Sequence, residues 1–131
     1  HEGEFARLFP DLAQAGRAAA RLSKVDAARR AADRVGCTIL LKGPDTVIAS
    51  PGGAASLHAA AYGREARWLG TAGAGDVLAG MIGSLLSANV PAEQAAAAAA
   101  WLHADAARRA GRRGLLAGDL VDLLPEALAA L

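Results

Sequence analysis

Apolar residues recur at helical spacing directly after Ser23: Val25, Ala28, Ala32 and Val35. That recurrence predicts a helix with one face against a core. Ser23 can accept from the first free amides, and Asp26 stands three positions on, like the acid of a capping box. Gly36 supplies the left-handed stop. Upstream, residues 3–22 read as a short helix followed by a looser Ala/Arg segment. The period then changes. Residues 37–42 (C-T-I-L-L-K) form an apolar, β-branched run of strand length. Being apolar on both faces, it suits a central parallel strand. Gly43-Pro44-Asp45 turn the chain, residues 46–49 make a second strand, and Ser50-Pro51-Gly52-Gly53 is a strong turn signal. Residues 54–58 can return as the hairpin partner.

The second half is helical. A glycine-rich stretch, residues 69–76, runs into an apolar helix predicted over residues 76–88. Pro91 opens the next helix, as its missing N–H and fixed φ permit. The alanine tract at 95–100 reads as its buried, close-packed face, since alanine is the best helix former. Arg108 and Arg109 close that helix at the negative end of its dipole, and Gly111 stops it. Asp119 caps a last helix, which Pro125 is expected to break and restart. The order of helix, strand, hairpin, glycine loop and three helices predicts an α/β sandwich. The strands are too few for a self-contained doubly wound sheet. The chain opens on His1 rather than Met, so it is either processed or part of a longer protein. It therefore reads as the C-terminal half of an α/β domain whose other strands lie upstream or in a partner.

The chemistry concentrates in three segments. The first is Gly70-Thr71-Ala72-Gly73-Ala74-Gly75-Asp76 with the apolar helix behind it. Small residues let backbone approach a ligand, and amides at a helix start attract anions. Ala72, Gly73 and Ala74 thus form a candidate anion loop. Asp76 places a negative charge at that site, which points to a catalytic base. No Lys-Ser or Lys-Thr follows the last glycine, so this is not a Walker A loop, and the third glycine of a dinucleotide fingerprint is missing. The plainer alternative is a glycine turn with Asp76 as a helix cap. The second segment is Lys42-Gly43-Pro44-Asp45-Thr46, at the C-terminal end of a strand, where open α/β sheets bind ligands. Lys42 can meet a phosphate there, or be a solvated lysine in a turn. The third is His1-Glu2-Gly3-Glu4, whose imidazole and carboxylates suit metal or substrate, or a solvated terminus.

The remaining candidates read as structural. His103 is expected to pack or cap, Trp68 and Trp101 to pack, and Cys37 to be buried and inert. His58 falls at a strand end with no obvious partner. Arg29, Arg30, Arg34, Arg108, Arg109, Arg112 and Arg113 read as solvated helix faces.

Composition narrows the partners. Fourteen basic and 13 acidic residues leave a net charge of +1, without the excess of a phosphate-neutralising nucleic-acid binder. Apolar residues make up 53% of the 131, enough for a packed core. The single cysteine precludes an intrachain disulfide and fits a reducing cytoplasm. The longest apolar run, residues 95–102, is too short to span a bilayer, and no signal-peptide pattern opens the chain.

Together the three segments resemble one family, the ADP- or ATP-dependent NAD(P)H-hydrate dehydratases of the ribokinase-like superfamily. His1-Glu2-Gly3-Glu4 is similar to its His-x-Gly-Glu segment, Lys42 to Thr46 to its Lys-Gly-x-x-Thr segment, and Gly73 to Asp76 to its Gly-x-Gly-Asp loop. The glycine–aspartate loop is shared across the superfamily; the combination is specific. Ala74 departs from the Thr or Ser frequent there. The resemblance implies the C-terminal part of a three-layer α/β/α sandwich that repairs hydrated NADH or NADPH. It implies His1 and Asp76 on the hydrated cofactor, with Asp76 as base. Lys42, Gly43, Pro44, Asp45, Thr46 and Gly75 would hold ADP or ATP, accompanied by Mg²⁺. A homo-oligomer and an upstream epimerase domain are further implications, with no nucleic acid and no membrane. On the residues, two other readings stay open: a small-molecule kinase of the same superfamily, and a non-catalytic nucleotide-binding fragment.

Overall fold

Three short strands and six α-helices follow one another in a computed structural model that describes residues 1–15, 22–59, 67–111 and 114–131. The Ala/Arg segment at 16–21, Arg112, Arg113 and the side chain of Trp68 lie outside the described residues. The chain divides into two units, His1–Ala59 and Ala60–Leu131.

The first unit holds α1 (Glu2–Leu8), α2 (Pro10–Ala15), α3 (Lys24–Val35) and the strands β1 (Ile39–Leu41), β2 (Asp45–Ala49) and β3 (Ala55–Ala59). Ser23 caps α3 through the Asp26 amide, and Gly36 ends it in the left-handed conformation, as the spacing predicts. Alanines line the buried face of α3: Ala27, Ala28, Ala31 and Ala32. Their small size lets the helix close onto Leu41, Val47 and Ala49 of the sheet and onto Phe5, Phe9 and Leu12. The Phe5 and Phe9 rings meet at 5.1 Å.

The sheet runs β1-β2-β3, antiparallel throughout, with Leu41 opposite Val47 and Thr46 opposite His58. The hairpin over residues 50–53 is as expected. The run at 37–42 differs from expectation: it pairs antiparallel rather than parallel, because the short turn after Leu41 can join only antiparallel neighbours. Cys37 also differs. The strand starts at Ile39, so Cys37 stays in the bend after the helix stop and is exposed.

The second unit holds a 3₁₀ turn (Arg67–Gly70), α4 (Ala74–Ser87), α5 (Ala92–Ala110) and α6 (Ala117–Ala129). Pro91 is the N-cap of α5 and Gly111 its left-handed stop, and Ala95, Ala96, Ala99 and Ala100 are buried. Ala106 and Ala107 of α5 pack with Ala74, Leu115 and Leu120. Asp119 accepts the Leu116 amide at 2.9 Å and so secures the start of α6. Pro125 does not break that helix. The carbonyl it strands is that of Val121, whose residue is exposed, so water can satisfy it. Among the described residues, no helix is long and apolar enough to cross a membrane.

Several arginines are paired rather than merely solvated. Arg34 grips Asp11 through two hydrogen bonds of 2.9 and 2.7 Å, which lowers the Asp11 carboxyl to about 2. Arg108 and Arg109 bind the buried Asp105 at 2.6 and 2.7 Å. Burial alone would raise the Asp105 carboxyl; the two guanidinium hydrogen bonds and charges outweigh it and hold the group below its ordinary value. A depressed carboxyl contributes stability above its unfolded pKa and loses it as pH falls through the folded one. Asp105→Asn is therefore expected to cost about 2 kcal/mol at neutral pH, a figure reduced for the partly exposed Arg108. The difference from the parent should shrink below about pH 4. Urea denaturation followed by circular dichroism at both pH values checks this.

Candidate functional site

His1 is the cap of α1, not a loose terminal residue. Its Nδ1 accepts the Gly3 N–H at 3.0 Å. In the neutral ring that bond leaves the proton on Nε2, a donor on an exposed side chain. A Cβ at residue 3 would fall 2.8 Å from His1 Cε1, so a side chain there would push the ring from its place over the glycine.

The second segment is the turn between β1 and β2. Lys42 follows the last residue of β1 and is half-buried; Gly43, Pro44 and Asp45 are exposed. Thr46 Oγ1 lies 3.5 Å from the Gly43 carbonyl, a long contact. A residue that the sequence reading passed over reaches this turn. Lys24 donates from Nζ to the Asp45 carbonyl at 2.6 Å and to the Lys42 carbonyl at 3.3 Å. A signal for it did exist: a cation at the first position of a helix opposes the dipole.

The third segment belongs to the second unit. Gly73 is the N-cap of α4 with φ of 83°, so the helix begins at Ala74, two residues before the predicted start. Asp76 is thus its third residue, in the first turn, where a carboxylate is favoured by the dipole. It is exposed, and no side-chain bond caps this helix. Asp76 is therefore not the cap that the plainer reading made it. The Ala74 and Asp76 amides bond back to the Thr71 and Gly73 carbonyls at 3.3 and 3.1 Å. Among the described residues, the Gly75 N–H has no such acceptor. Behind the loop, the buried His103 joins its Nε2 to the Ala74 carbonyl at 2.8 Å, which fits its reading as a packed, capping histidine.

The geometry thus gathers His1 to Glu4 and Lys42 to Thr46 within one unit and sets out Ala72 to Asp76 in the other. Each sets reactive side chains on a short backbone feature: exposed His1, Glu2 and Glu4 in the first, half-buried Lys42 in the second and exposed Asp76 in the third. Gly73 has two reasons to lack a side chain: its positive φ, and a Cβ that would lie 3.1 Å from Ala117 Cβ. Gly73→Ala is expected to lower stability by about 1–2 kcal/mol. Gly70→Ala, with open space around its Cβ, should change the urea midpoint little.

The sequence profile described as NAD(P)H-hydrate dehydratase matches residues 1–129. The bifunctional NAD(P)H-hydrate repair enzyme of Mycobacterium leprae is 48% identical over 107 residues, covering 82% of this chain and 20% of that protein. The ADP-dependent (S)-NAD(P)H-hydrate dehydratase of Neisseria meningitidis is 43% identical, covering 86% of this chain and 40% of that protein. Among solved structures, the ADP/ATP-dependent NAD(P)H-hydrate dehydratase of Bacillus subtilis, co-crystallized with ATP/Mg²⁺, superposes with a TM-score of 0.80 at 30% identity. The match covers 99% of this chain and 46% of that one. The chain therefore spans less than half the length of each of these relatives.

Proposed function

The chain belongs to the NAD(P)H-hydrate dehydratase family, with its ribokinase-like fold, and from that premise we propose that it forms the C-terminal part of one ADP- or ATP-dependent (S)-NAD(P)H-hydrate dehydratase domain. The observation that carries this reading is Asp76: an exposed carboxylate in the first turn of α4, behind a left-handed glycine, with no capping bond. Support comes from the relatives' names and from the shape of α4. That helix is apolar along most of its length, yet only Ala74 and Leu78 are buried, as suits an element that other parts of a larger domain would cover.

In this reading Lys42, Gly43, Pro44, Asp45, Thr46 and Gly75 are the nucleotide-binding residues, and Ala72, Gly73 and Ala74 form the anion loop. His1 and Asp76 hold the hydrated nicotinamide. Asp76 accepts the proton of the ring hydroxyl as that oxygen takes the terminal phosphoryl group from ATP or ADP. The carbon–oxygen bond then breaks, phosphate departs with the bonding pair, and loss of the neighbouring ring proton restores the double bond. The Gly75 N–H stabilises phosphate charge during the transfer. Among the described residues no group of three or more His, Cys, Asp or Glu side chains could hold a metal. Mg²⁺ fits such a site as the nucleotide's own companion, since it binds through phosphates and water with few protein ligands, and it would neutralise phosphate charge.

The bifunctional relatives, about five times the length of the matched stretch, support a further domain in the whole protein, which we assign to an epimerase. The place of action is the cytoplasm. The test is the near-ultraviolet absorbance that marks reduced nicotinamide, followed on hydrated NADH with Mg²⁺ and ADP or ATP. The protein is assayed alone and joined to the preceding stretch of its gene product. Recovery of the absorbance is expected, reduced on the order of 100- to 10,000-fold by Asp76→Asn. A stable phosphorylated product with no recovered absorbance would overturn the dehydratase in favour of a kinase.

A further inference from the structure

Lys24 stands where a helix tolerates a cation least. It is the first residue of α3, at the positive end of the dipole. It is also one of only two lysines in a chain that otherwise uses arginine. Helix stability does not account for it; what its ammonium holds does. Nζ donates to the carbonyls of Asp45 and Lys42, the two ends of the β1–β2 turn. The Glu2 carboxylate, 4.0 Å away on an exposed side chain, adds little.

Gly43 lies directly beneath this contact. A Cβ there would fall 2.2 Å from Lys24 Nζ and 3.3 Å from the Asp45 carbonyl. Gly43 is not among the glycines with positive φ. A side chain there would push the lysine tip off the turn, and the backbone itself makes no left-handed demand for glycine. Once the Lys42 carbonyl faces Lys24, peptide planarity turns the Gly43 N–H to the opposite side, away from the lysine.

We propose that Lys24 is the positioning residue of the nucleotide turn. It holds the Lys42 and Asp45 carbonyls inward, so the turn is set before a nucleotide arrives and less ordering is lost on binding. This rests on the reading of residues 42–46 as the segment that meets ADP or ATP.

The test is calorimetric titration of ADP with Mg²⁺ into the parent protein, Lys24→Met, Lys24→Arg, Gly43→Ala and the Lys24→Met/Gly43→Ala double variant. Amide hydrogen exchange at Gly43, Asp45 and Thr46 is followed in parallel. Lys24→Met should raise the Kd about 10-fold and speed exchange at the three amides. It should not weaken α3, because it removes the charge that opposed the dipole. Lys24→Arg should restore most of the affinity, since a guanidinium can donate to both carbonyls. Gly43→Ala should weaken binding in the parent but add less than about 2-fold once the ammonium is gone. Parent-like affinity in Lys24→Met, or a Gly43→Ala effect of equal size with and without the lysine, overturns the proposal. If the parent itself binds no ADP, the nucleotide reading has failed, and exchange alone decides the clamp. Faster exchange in Lys24→Met sustains it, and unaltered exchange overturns it.

Discussion

The turn between β1 and β2 is held from one side by an ammonium group that lies where a Cβ of residue 43 would be. The same constraint recurs at each of the three segments. The His1 ring lies over Gly3, Lys24 over Gly43, and Gly73 turns left-handed against Ala117. In each case a side chain or a neighbouring helix lies close over a residue that has no Cβ. A close approach of this kind fixes a loop tightly with few atoms. That matters in a chain whose cores are built largely from alanine and whose burial per residue is correspondingly small.

The charged groups divide by how they are engaged. Asp105 is buried on α5 and both of its oxygens are taken by arginines on the same helix. Asp11 is held by the fork of Arg34. These carboxylates are lowered by their partners and belong to the framework. Asp76 lies in the same unit as Asp105 and differs in every respect. It is exposed, in the first turn of a helix, with no capping bond. Asp105 and Asp11 serve the framework; Asp76 is the carboxylate we propose as the base.

Three segments identified from residue type alone map onto two units, two segments in one and one in the other. His1 to Glu4 and Lys42 to Thr46 share a unit because α1, α3 and the sheet close over one core of phenylalanine, leucine and alanine. The glycine loop depends on a separate small core, in which Ala74 packs with Ala106, Ala107, Leu115 and Leu120. His103 then ties the first residue of α4 to α5. The loop is thus supported by two helices that follow it in the chain.

Local signals were enough for much of this. Ser23 and Gly36 bound α3, Gly111 stops α5, and the Pro-Gly-Gly turn closes the hairpin, because caps and turns are settled by dihedral preference and hydrogen bonds within a few residues. The three chemical segments were legible for the same reason. Where the reading of the sequence differed from the structure, contacts distant in the chain decided. The strand at Ile39–Leu41 is apolar enough for a parallel sheet, but its partner across the turn makes it antiparallel. Pro125 sits inside α6 without breaking it, and the carbonyl it strands belongs to the exposed Val121, which water can reach. Lys24 and Asp45 are 21 positions apart, and Arg34 and Asp11 23. No periodicity or motif links residues so far apart. Residue type and local spacing determined the elements and the candidate chemistry; the packing of α3 on the sheet alone decided that a lysine would hold the turn after β1.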